Sequence, residues 1–290
     1  MTTIPASGPA KGRSELKTRL VFGPLLLVLV GLCYYADLRW SQGYLSAGVL
    51  GLLGMAGLHE YVVMLRRAGF AVAADFLYPL SAALFVSAFF FQWHSIDHEL
   101  YPLAIGTILL LFPIATRSLL RDHMAKGLEE QGASLLGFVM IAWTMFLAQG
   151  MAIRHTPSVL YVVLVCKGGD IGAYFAGIAL GRRKMIPHVS PGKTWEGAAG
   201  SLAASCALAV LLRPWLLQPE VDLGLTAAVG VGIMLNVTTQ VGDLIESLMK
   251  RRCGVKDSSA LLPAHGGVLD LVDSLLFSFP AFFLVLCRLT

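Results

Sequence analysis

Long runs of hydrophobic residues, separated by short polar segments, follow one another along most of the chain. A helix that crosses a bilayer needs about 20 mostly apolar residues, and nine runs approach that length. They are residues 20–36, 43–65, 74–92, 100–117, 133–152, 158–180, 196–217, 223–247 and 267–287. The pattern predicts an all-α polytopic membrane protein with about nine transmembrane helices.

Lysine and arginine residues are concentrated in every second polar segment. Positively charged loops tend to stay on the cytoplasmic side of a membrane, so this alternation predicts a cytoplasmic N-terminus and a C-terminus on the outer side. The predicted cytoplasmic segments contain Lys11, Arg13, Lys17 and Arg19, then Arg66 and Arg67, then Arg117, Arg121 and Lys126, then Arg182, Arg183, Lys184 and Lys193, and finally Lys250, Arg251, Arg252 and Lys256.

The predicted spans divide the chain into three regions. Residues 1–19 form a basic cytoplasmic tail that we expect to be disordered, and the first apolar run after it is interpreted as an uncleaved span. Residues 20–157 form an N-terminal five-helix membrane region. Residues 158–290 form a C-terminal membrane region, with cytoplasmic loops at 181–195 and 248–266.

Composition agrees with a membrane protein and excludes other classes. Hydrophobic residues make up 56% of the chain and charged residues only 14%, whereas a soluble domain carries about 25% charged residues. The formal net charge of +4 comes from short loops between apolar runs, so it does not indicate nucleic-acid binding. The five cysteines are scattered without a CxxC pair, which predicts free thiols and neither a disulfide framework nor a zinc site.

Acidic residues flank a basic loop near the C-terminus. Asp243 and Glu246 precede the loop, and Asp270 and Asp273 follow it. Each pair has i, i+3 spacing, which places both carboxylates on one face of a helix. The loop contains Lys250, Arg251, Arg252, Lys256 and His265. Carboxylates around a cationic loop suit a divalent metal with a polyphosphate, although helix-end acids neutralised by nearby cations would give the same pattern.

Two further polar features lie upstream. Lys167 and Asp170 fall within the sixth predicted span, where charges are expensive and face the bundle interior or a water-filled cavity. They suit either such a polar cavity or a structural ion pair. Residues 190–194 read SPGKT just before a predicted helix, so they suit a phosphate cradle or a solvated basic turn. His59 and Glu60 interrupt the second span and are interpreted as a residue pair near a span end or packed within the bundle, without a catalytic role.

The C-terminal half resembles the phosphatidate cytidylyltransferase (CDP-diacylglycerol synthase) family. The family signature is met in register by Ser247, Lys250, Arg251, Lys256, Asp257, Pro263, His265, Gly266, Gly267, Asp270 and Asp273, and the stretches at 170–177 and 190–197 are also similar. The resemblance is specific over residues 167–274 and rests on hydropathy over residues 1–150. Leu271 stands where the family usually has arginine, and Gly192 where many members have a second lysine.

The resemblance implies a nucleotidyltransferase that converts CTP and phosphatidate into CDP-diacylglycerol and pyrophosphate. It implies Mg²⁺ as the cofactor, with a second metal ion left open, held principally by Asp243 and Asp270 and supported by Glu246 and Asp273. The implied catalytic residues are Asp243, Asp270, Lys250, Lys256 and His265. The implied substrate-binding residues are Asp170, Ser190, Lys193, Thr194, Ser247, Arg251, Asp257, Gly266 and Gly267. A loop-packing role for His265 also remains open.

Other functions stay open at this point. A CTP-dependent lipid kinase of the polyprenol or dolichol type shares part of the C-terminal pattern, and an ion-coupled transporter would also carry intramembrane acids. The substrates implied by the resemblance place the protein in the bacterial inner (plasma) membrane, with its site facing the cytoplasm. We expect CTP and membrane phosphatidate as partners and no nucleic acid, and a homodimer remains open.

Overall fold

The protein is described from a computed structural model of the chain. The described residues are 28, 30–90, 96–120, 124–218, 221–261 and 266–289. The predicted tail at 1–19, most of the first predicted span, and both Pro263 and His265 lie outside them. The α-helices discussed below are α1 (Tyr44–Arg67), α2 (Ala74–Ser87), α3 (Ile96–Leu120), α4 (Met124–Gly137), α5 (Thr144–Leu180), α6 (Trp195–Leu216), α7 (Leu225–Arg252), α8 (Val268–Val272) and α9 (Ser278–Leu289). Residues 30–36 are also helical, and π-helical turns occupy Asp37–Ser41 and Phe138–Trp143.

A short hairpin interrupts the helical architecture where a cytoplasmic loop was predicted at 181–195. Strands β1 (Lys184–Ile186) and β2 (Ser190–Thr194) pair antiparallel, with Lys184 opposite Thr194. The Thr194 hydroxyl then accepts a hydrogen bond from the backbone N–H of Gly197, 3.1 Å away, and so caps α6. The hairpin therefore delivers the side chains of β2 to the start of that helix.

Five helical segments of the described chain are long and apolar enough to cross a membrane, by length and composition. They are Tyr44–Arg67, Pro102–Leu119, Lys126–Leu180, Trp195–Leu216 and Leu225–Arg252. The protein is thus a mostly helical integral membrane protein. At about 1.5 Å per residue, the 55-residue segment Lys126–Leu180 would be far longer than the ~30 Å hydrocarbon core. It bends at His155, whose φ of −155° and ψ of 85° leave the helical range. Pro157 follows, and its ring cannot donate a helical hydrogen bond.

The ninth predicted span is not one continuous helix. α8 ends at Val272 and α9 begins at Ser278, with turns between them. The Asp273 carboxylate accepts a hydrogen bond from the backbone N–H of Ser274 at 2.5 Å, a local bond that competes with helix formation. Pro280 then falls in the first turn of α9, where its missing N–H does no harm.

Small residues bring α5 and α6 into close contact, the most extensive helix pairing in the described structure. A Cβ atom added at Gly200 would lie 2.3 Å from Ala176 Cβ and 3.0 Å from the Gly172 carbonyl oxygen. Lipid chains are as apolar as the helices, so packing of this kind, more than hydrophobic burial, drives association within a membrane. It holds the half of α5 that carries Lys167 and Asp170 against the helix that follows the hairpin.

The Gly200→Ala substitution should destabilise the protein by about 1–3 kcal/mol, because the added methyl group overlaps Ala176. Gly230→Ala is the matched control: a Cβ atom there meets nothing within 4 Å, and alanine favours the helix. Thermal unfolding in detergent should show a lower midpoint for Gly200→Ala and an unchanged or higher one for Gly230→Ala. Equal midpoints for both variants would show that this close approach does not stabilise the fold.

Candidate active site

Three carboxylates converge where α7 meets the segment after α8. Asp243 and Glu246 lie on one face of α7, and Asp273 follows α8 directly; one oxygen of each lies within 4.8 Å of the others. The side chain of Glu246 is completely buried, whereas that of Asp243 is 35% exposed. The acidic group therefore has a closed inner end and an open outer end.

The chemistry of this group fits a hard divalent cation. Carboxylate oxygens are the ligands that Mg²⁺ prefers. Glu246 Oε2 pairs with the Lys250 ammonium nitrogen 2.5 Å away, whereas Glu246 Oε1 is buried without a hydrogen-bond partner among the described residues. A buried carboxylate oxygen is costly when it is not satisfied, so Oε1 retains coordinating capacity for a cation.

Lysines from three elements surround the carboxylates. Lys193 on β2 places its ammonium nitrogen 2.6 Å from Asp243 Oδ2. Lys250 bridges two acids, because it also lies 2.5 Å from Asp270 Oδ1. Lys167 on α5 donates to the Ser274 hydroxyl at 2.7 Å and lies 3.7 Å from Asp170 Oδ2. These contacts join hairpin, α5, α7 and α8 into one polar site.

Carboxylates outnumber ammonium groups in this contact network. The acids are Asp170, Asp243, Glu246, Asp270 and Asp273, and the ammonium groups belong to Lys167, Lys193 and Lys250. With all of them ionised, the network keeps a negative charge in a half-buried place, where the effective dielectric constant is low. Such a network favours a divalent cation, and a bound cation would in turn allow a polyphosphate to approach.

Asp270 stands apart from the three-carboxylate group. Its Oδ2 atom accepts hydrogen bonds from the backbone N–H of Ser258 at 2.8 Å, the Ser258 hydroxyl at 2.7 Å and the backbone N–H of Gly267 at 2.7 Å. Its Oδ1 atom faces the Lys250 ammonium, which separates it from Glu246. Asp270 thus holds the loop before α8 and turns one oxygen toward the acidic group.

A profile of the cytidylyltransferase family matches residues 17–289 of the chain. The chain belongs to the cytidylyltransferase family.

Its relatives include several phosphatidate cytidylyltransferases. The one from Bacillus subtilis is 40% identical over 283 residues, which cover 94% of this chain and 98% of that protein. The one from Pseudomonas aeruginosa is 49% identical over 124 residues, covering 43% of this chain and 45% of that protein; this match spans less than half of that relative's length. The one from Mycobacterium tuberculosis (strain H37Rv) is 27% identical and is matched over 98% of this chain and 86% of its own length.

The other described residues of the signature differ in their contacts and exposure. Ser247 places its hydroxyl 3.5 Å from Asp243 Oδ1. Arg251 donates to the carbonyl oxygen of Val189 at 3.3 Å, which ties α7 to the hairpin. Lys256 and Asp257 are exposed on the loop after α7. Gly266 has a φ of +86°, a backbone conformation that favours glycine.

The stretch predicted as a phosphate cradle is only partly free to bind a ligand. Thr194 is buried and its hydroxyl is used as the cap of α6, while Ser190 pairs in the hairpin opposite Ile186. Glu196 further occupies this corner by accepting hydrogen bonds from the backbone N–H groups of Arg182 and Arg183. Lys193 is therefore the residue of this stretch that reaches the acidic group.

Glu60 contacts the loop before α8, and the sequence did not indicate this contact. Its buried carboxylate on α1 accepts hydrogen bonds from Ser258, Ser259 and the first turn of α8. Packing within the bundle, one of the two sequence interpretations of this pair, agrees with the burial of Glu60, whereas His59 is exposed. Neither interpretation indicated the partners of Glu60. The available signal was an acidic residue inside an apolar span, which is rare unless a partner satisfies it.

Glu246→Gln should weaken divalent cation binding by roughly 10- to 100-fold, the loss typical of disturbing the groups around a metal. Glutamine keeps the size of the side chain but removes the charge and one coordinating oxygen. Binding of Mn²⁺ to the purified protein, followed by electron paramagnetic resonance of the free ion, measures this directly. Asp222→Asn is the control, since Asp222 contacts Gln218 outside this cluster. Wild-type Mn²⁺ affinity in Glu246→Gln would refute the cation site.

Proposed function

We propose that the protein is a phosphatidate cytidylyltransferase that makes CDP-diacylglycerol and pyrophosphate from CTP and membrane phosphatidate. The observation that carries the proposal is the acidic group of Asp243, Glu246 and Asp273 bordered by Lys193 and Lys250, in a chain of the cytidylyltransferase family. The match to the Bacillus subtilis enzyme over nearly its whole length supports the same activity.

The proposed reaction needs charge neutralisation more than proton transfer. An oxygen of the phosphatidate phosphate attacks the α-phosphorus of CTP; a new P–O bond forms while the bond to the bridging oxygen of pyrophosphate breaks and pyrophosphate leaves with that electron pair. The attacking phosphate monoester is already ionised near neutral pH, so no dedicated general base is required. Both reactants are anions, and their repulsion is the main obstacle to approach.

The chain's own residues divide this task. A divalent ion, which we propose to be Mg²⁺, would neutralise phosphate charge and align the reacting oxygens when bound. Its proposed ligands are drawn from Asp243 and Asp270, supported by Glu246 and Asp273. Lys193, Lys250, Arg251 and Lys256 are proposed to bind the phosphates of CTP and phosphatidate, and His265 with Gly266 and Gly267 to line the phosphate position. Lys193 suits this best because it is accessible at the open end of the acidic group.

The surface beside the site suits a lipid substrate. Asp170 is 45% exposed on α5, and Ile171, Tyr174 and Phe175 next to it are exposed apolar side chains. A phosphate headgroup could reach the carboxylate-bound cation while its acyl chains stay against this apolar surface.

We also propose the orientation and assembly of the protein. α7 has 28 residues, so at about 1.5 Å per residue it exceeds the ~30 Å hydrocarbon core, and its basic end at Lys250, Arg251 and Arg252 extends past it. Positive residues favour the cytoplasmic side, where CTP is available. We therefore propose that the site lies on the cytoplasmic face of a bacterial inner membrane. We also propose nine transmembrane spans with the C-terminus on the outer side, and a homodimer as the assembly to be tested.

Purified protein incubated with phosphatidate, Mg²⁺ and CTP labelled at the α-phosphate should yield labelled CDP-diacylglycerol and an equal amount of pyrophosphate. The matching assay uses CTP labelled at the γ-phosphate with a polyprenol acceptor and should label no lipid. Label transferred from the γ-phosphate, with CDP as the second product, would replace the proposal by a lipid kinase. Passage of ligand into liposomes without turnover would replace it by a transporter.

Asp243→Asn and Asp270→Asn should each lower kcat by roughly 10²- to 10³-fold, the loss seen when one group of a preorganised charged site is removed. Each should also raise the Mg²⁺ concentration needed for half-maximal activity. Asp222→Asn should match the wild type in both measurements. If Asp270→Asn keeps most of its activity with an unchanged Mg²⁺ dependence, Asp270 is not a metal ligand.

A further inference from the structure

Glu60 connects the N-terminal region to the loop that precedes α8. Its Oε1 atom accepts hydrogen bonds from the Ser259 hydroxyl at 2.6 Å and the backbone N–H of Val268 at 3.0 Å. Its Oε2 atom accepts from the Ser258 hydroxyl at 2.9 Å and the backbone N–H of Leu269 at 2.8 Å. Glu60 is only 6% exposed, and its carboxylate is satisfied by neutral donors, without an ion pair among the described residues.

The loop held by Glu60 is the same loop that positions Asp270. Ser258 donates its backbone N–H to Asp270 Oδ2, and its hydroxyl lies 2.7 Å from that atom as well as 2.9 Å from Glu60 Oε2. A hydroxyl has one proton, so the two carboxylates share the Ser258 donor. Asp270 in turn faces Lys250, which contacts Glu246. An unbroken series of polar contacts thus runs from α1 to the acidic group.

Close packing at Gly267 leaves this arrangement little freedom. A Cβ atom at that position would lie 2.2 Å from Glu60 Oε2 and 2.1 Å from the Ser258 hydroxyl oxygen. The loop backbone therefore lies directly against the Glu60 carboxylate, with no room for a side chain. Movement of the carboxylate toward the loop would push against the backbone that donates Gly267 N–H to Asp270.

We propose that Glu60 is a positioning residue for the active site. It fixes Asp270 and Lys250 by anchoring Ser258, Ser259 and the first turn of α8 from the N-terminal region. The proposal rests on the proposed cytidylyl transfer for its kinetic consequence, but the anchoring itself does not. Glu60 does not touch the reacting atoms; it acts through Ser258 and the first turn of α8. The N-terminal helices would then support the loop before α8 and hold it in place.

Glu60→Gln tests the proposal with almost no change in side-chain volume. An amide has one acceptor oxygen, so its NH₂ group would face a backbone N–H and a serine hydroxyl that both need an acceptor. We expect kcat to fall by roughly 10- to 100-fold, since misplacing a catalytic group by about 1 Å can cost 10²-fold. The Mg²⁺ concentration for half-maximal activity should rise. Amide hydrogen exchange should accelerate in residues 258–270 and stay unchanged in α5 and α6.

Glu130→Gln is the matched control, because it removes an acid of the N-terminal region that pairs with Arg117 on α3. It should keep the wild-type kcat, Mg²⁺ dependence and exchange of residues 258–270. Ser259→Ala is a milder second variant, which removes a single donor to Glu60 and preserves the charge, in case Glu60→Gln does not fold. It should change the same three quantities in the same direction, by a few-fold.

The outcomes separate this inference from the proposed function. Wild-type kcat and Mg²⁺ dependence in folded Glu60→Gln, or an equal loss in Glu130→Gln, would overturn the positioning role. If the wild-type protein forms no CDP-diacylglycerol, the proposed function fails, and the anchoring role is then tested by Mn²⁺ affinity and hydrogen exchange. Faster exchange together with weaker Mn²⁺ binding in Glu60→Gln supports the anchoring role. Wild-type values for both quantities overturn it. A merely structural role would lower the unfolding temperature while leaving the Mg²⁺ dependence of the folded protein unchanged.

Discussion

Ionised side chains can be kept inside a helical bundle only when hydrogen bonds or opposite charges replace the water that they lose. The charged side chains of the candidate active site meet that requirement through one another and through the loop before α8. Glu246 is fully buried and faces Lys250, Lys250 is shared with Asp270, and Asp270 is held by backbone and hydroxyl donors. Removing Lys250 would leave both Glu246 and Asp270 without the cation that they share, so these acids, this lysine and the loop form a single unit.

The helices that carry this unit are brought together by small side chains. At Gly172 and Gly200 the backbones of α5 and α6 approach so closely that a methyl group would not fit. The hairpin between these helices then directs Lys193 toward Asp243 on α7. Backbone proximity and charge pairing thus support each other: the helices bring the charges within reach, and the ion pairs cross from one element to the next.

Much of the architecture was visible in the sequence, because long apolar runs have few alternatives to membrane helices. The i, i+3 spacing of Asp243 and Glu246 correctly brought both to one face of α7. Spacing along the chain could not show that Asp273 joins them while Asp270 turns to Ser258 and Gly267, since that depends on how α8 docks. Nor could hydropathy show the break between α8 and α9, which local hydrogen bonding favours. The partners of Glu60 lie 198 to 209 residues away, beyond any local pattern.

That separation has a consequence for biosynthesis. During synthesis from the N-terminus, α1 is made long before Ser258 or α8, so Glu60 has to enter the membrane without the donors that later satisfy it. An acidic residue costs roughly 2.5–3.5 kcal/mol at the centre of an inserting helix and less toward its ends. Glu60 lies in the last third of α1, and the apolar residues before it offset part of that cost. The nascent helix therefore carries an unsatisfied carboxylate until the C-terminal half has been made. Only when the last helices dock does the Glu60 carboxylate of α1 gain its hydrogen-bond donors.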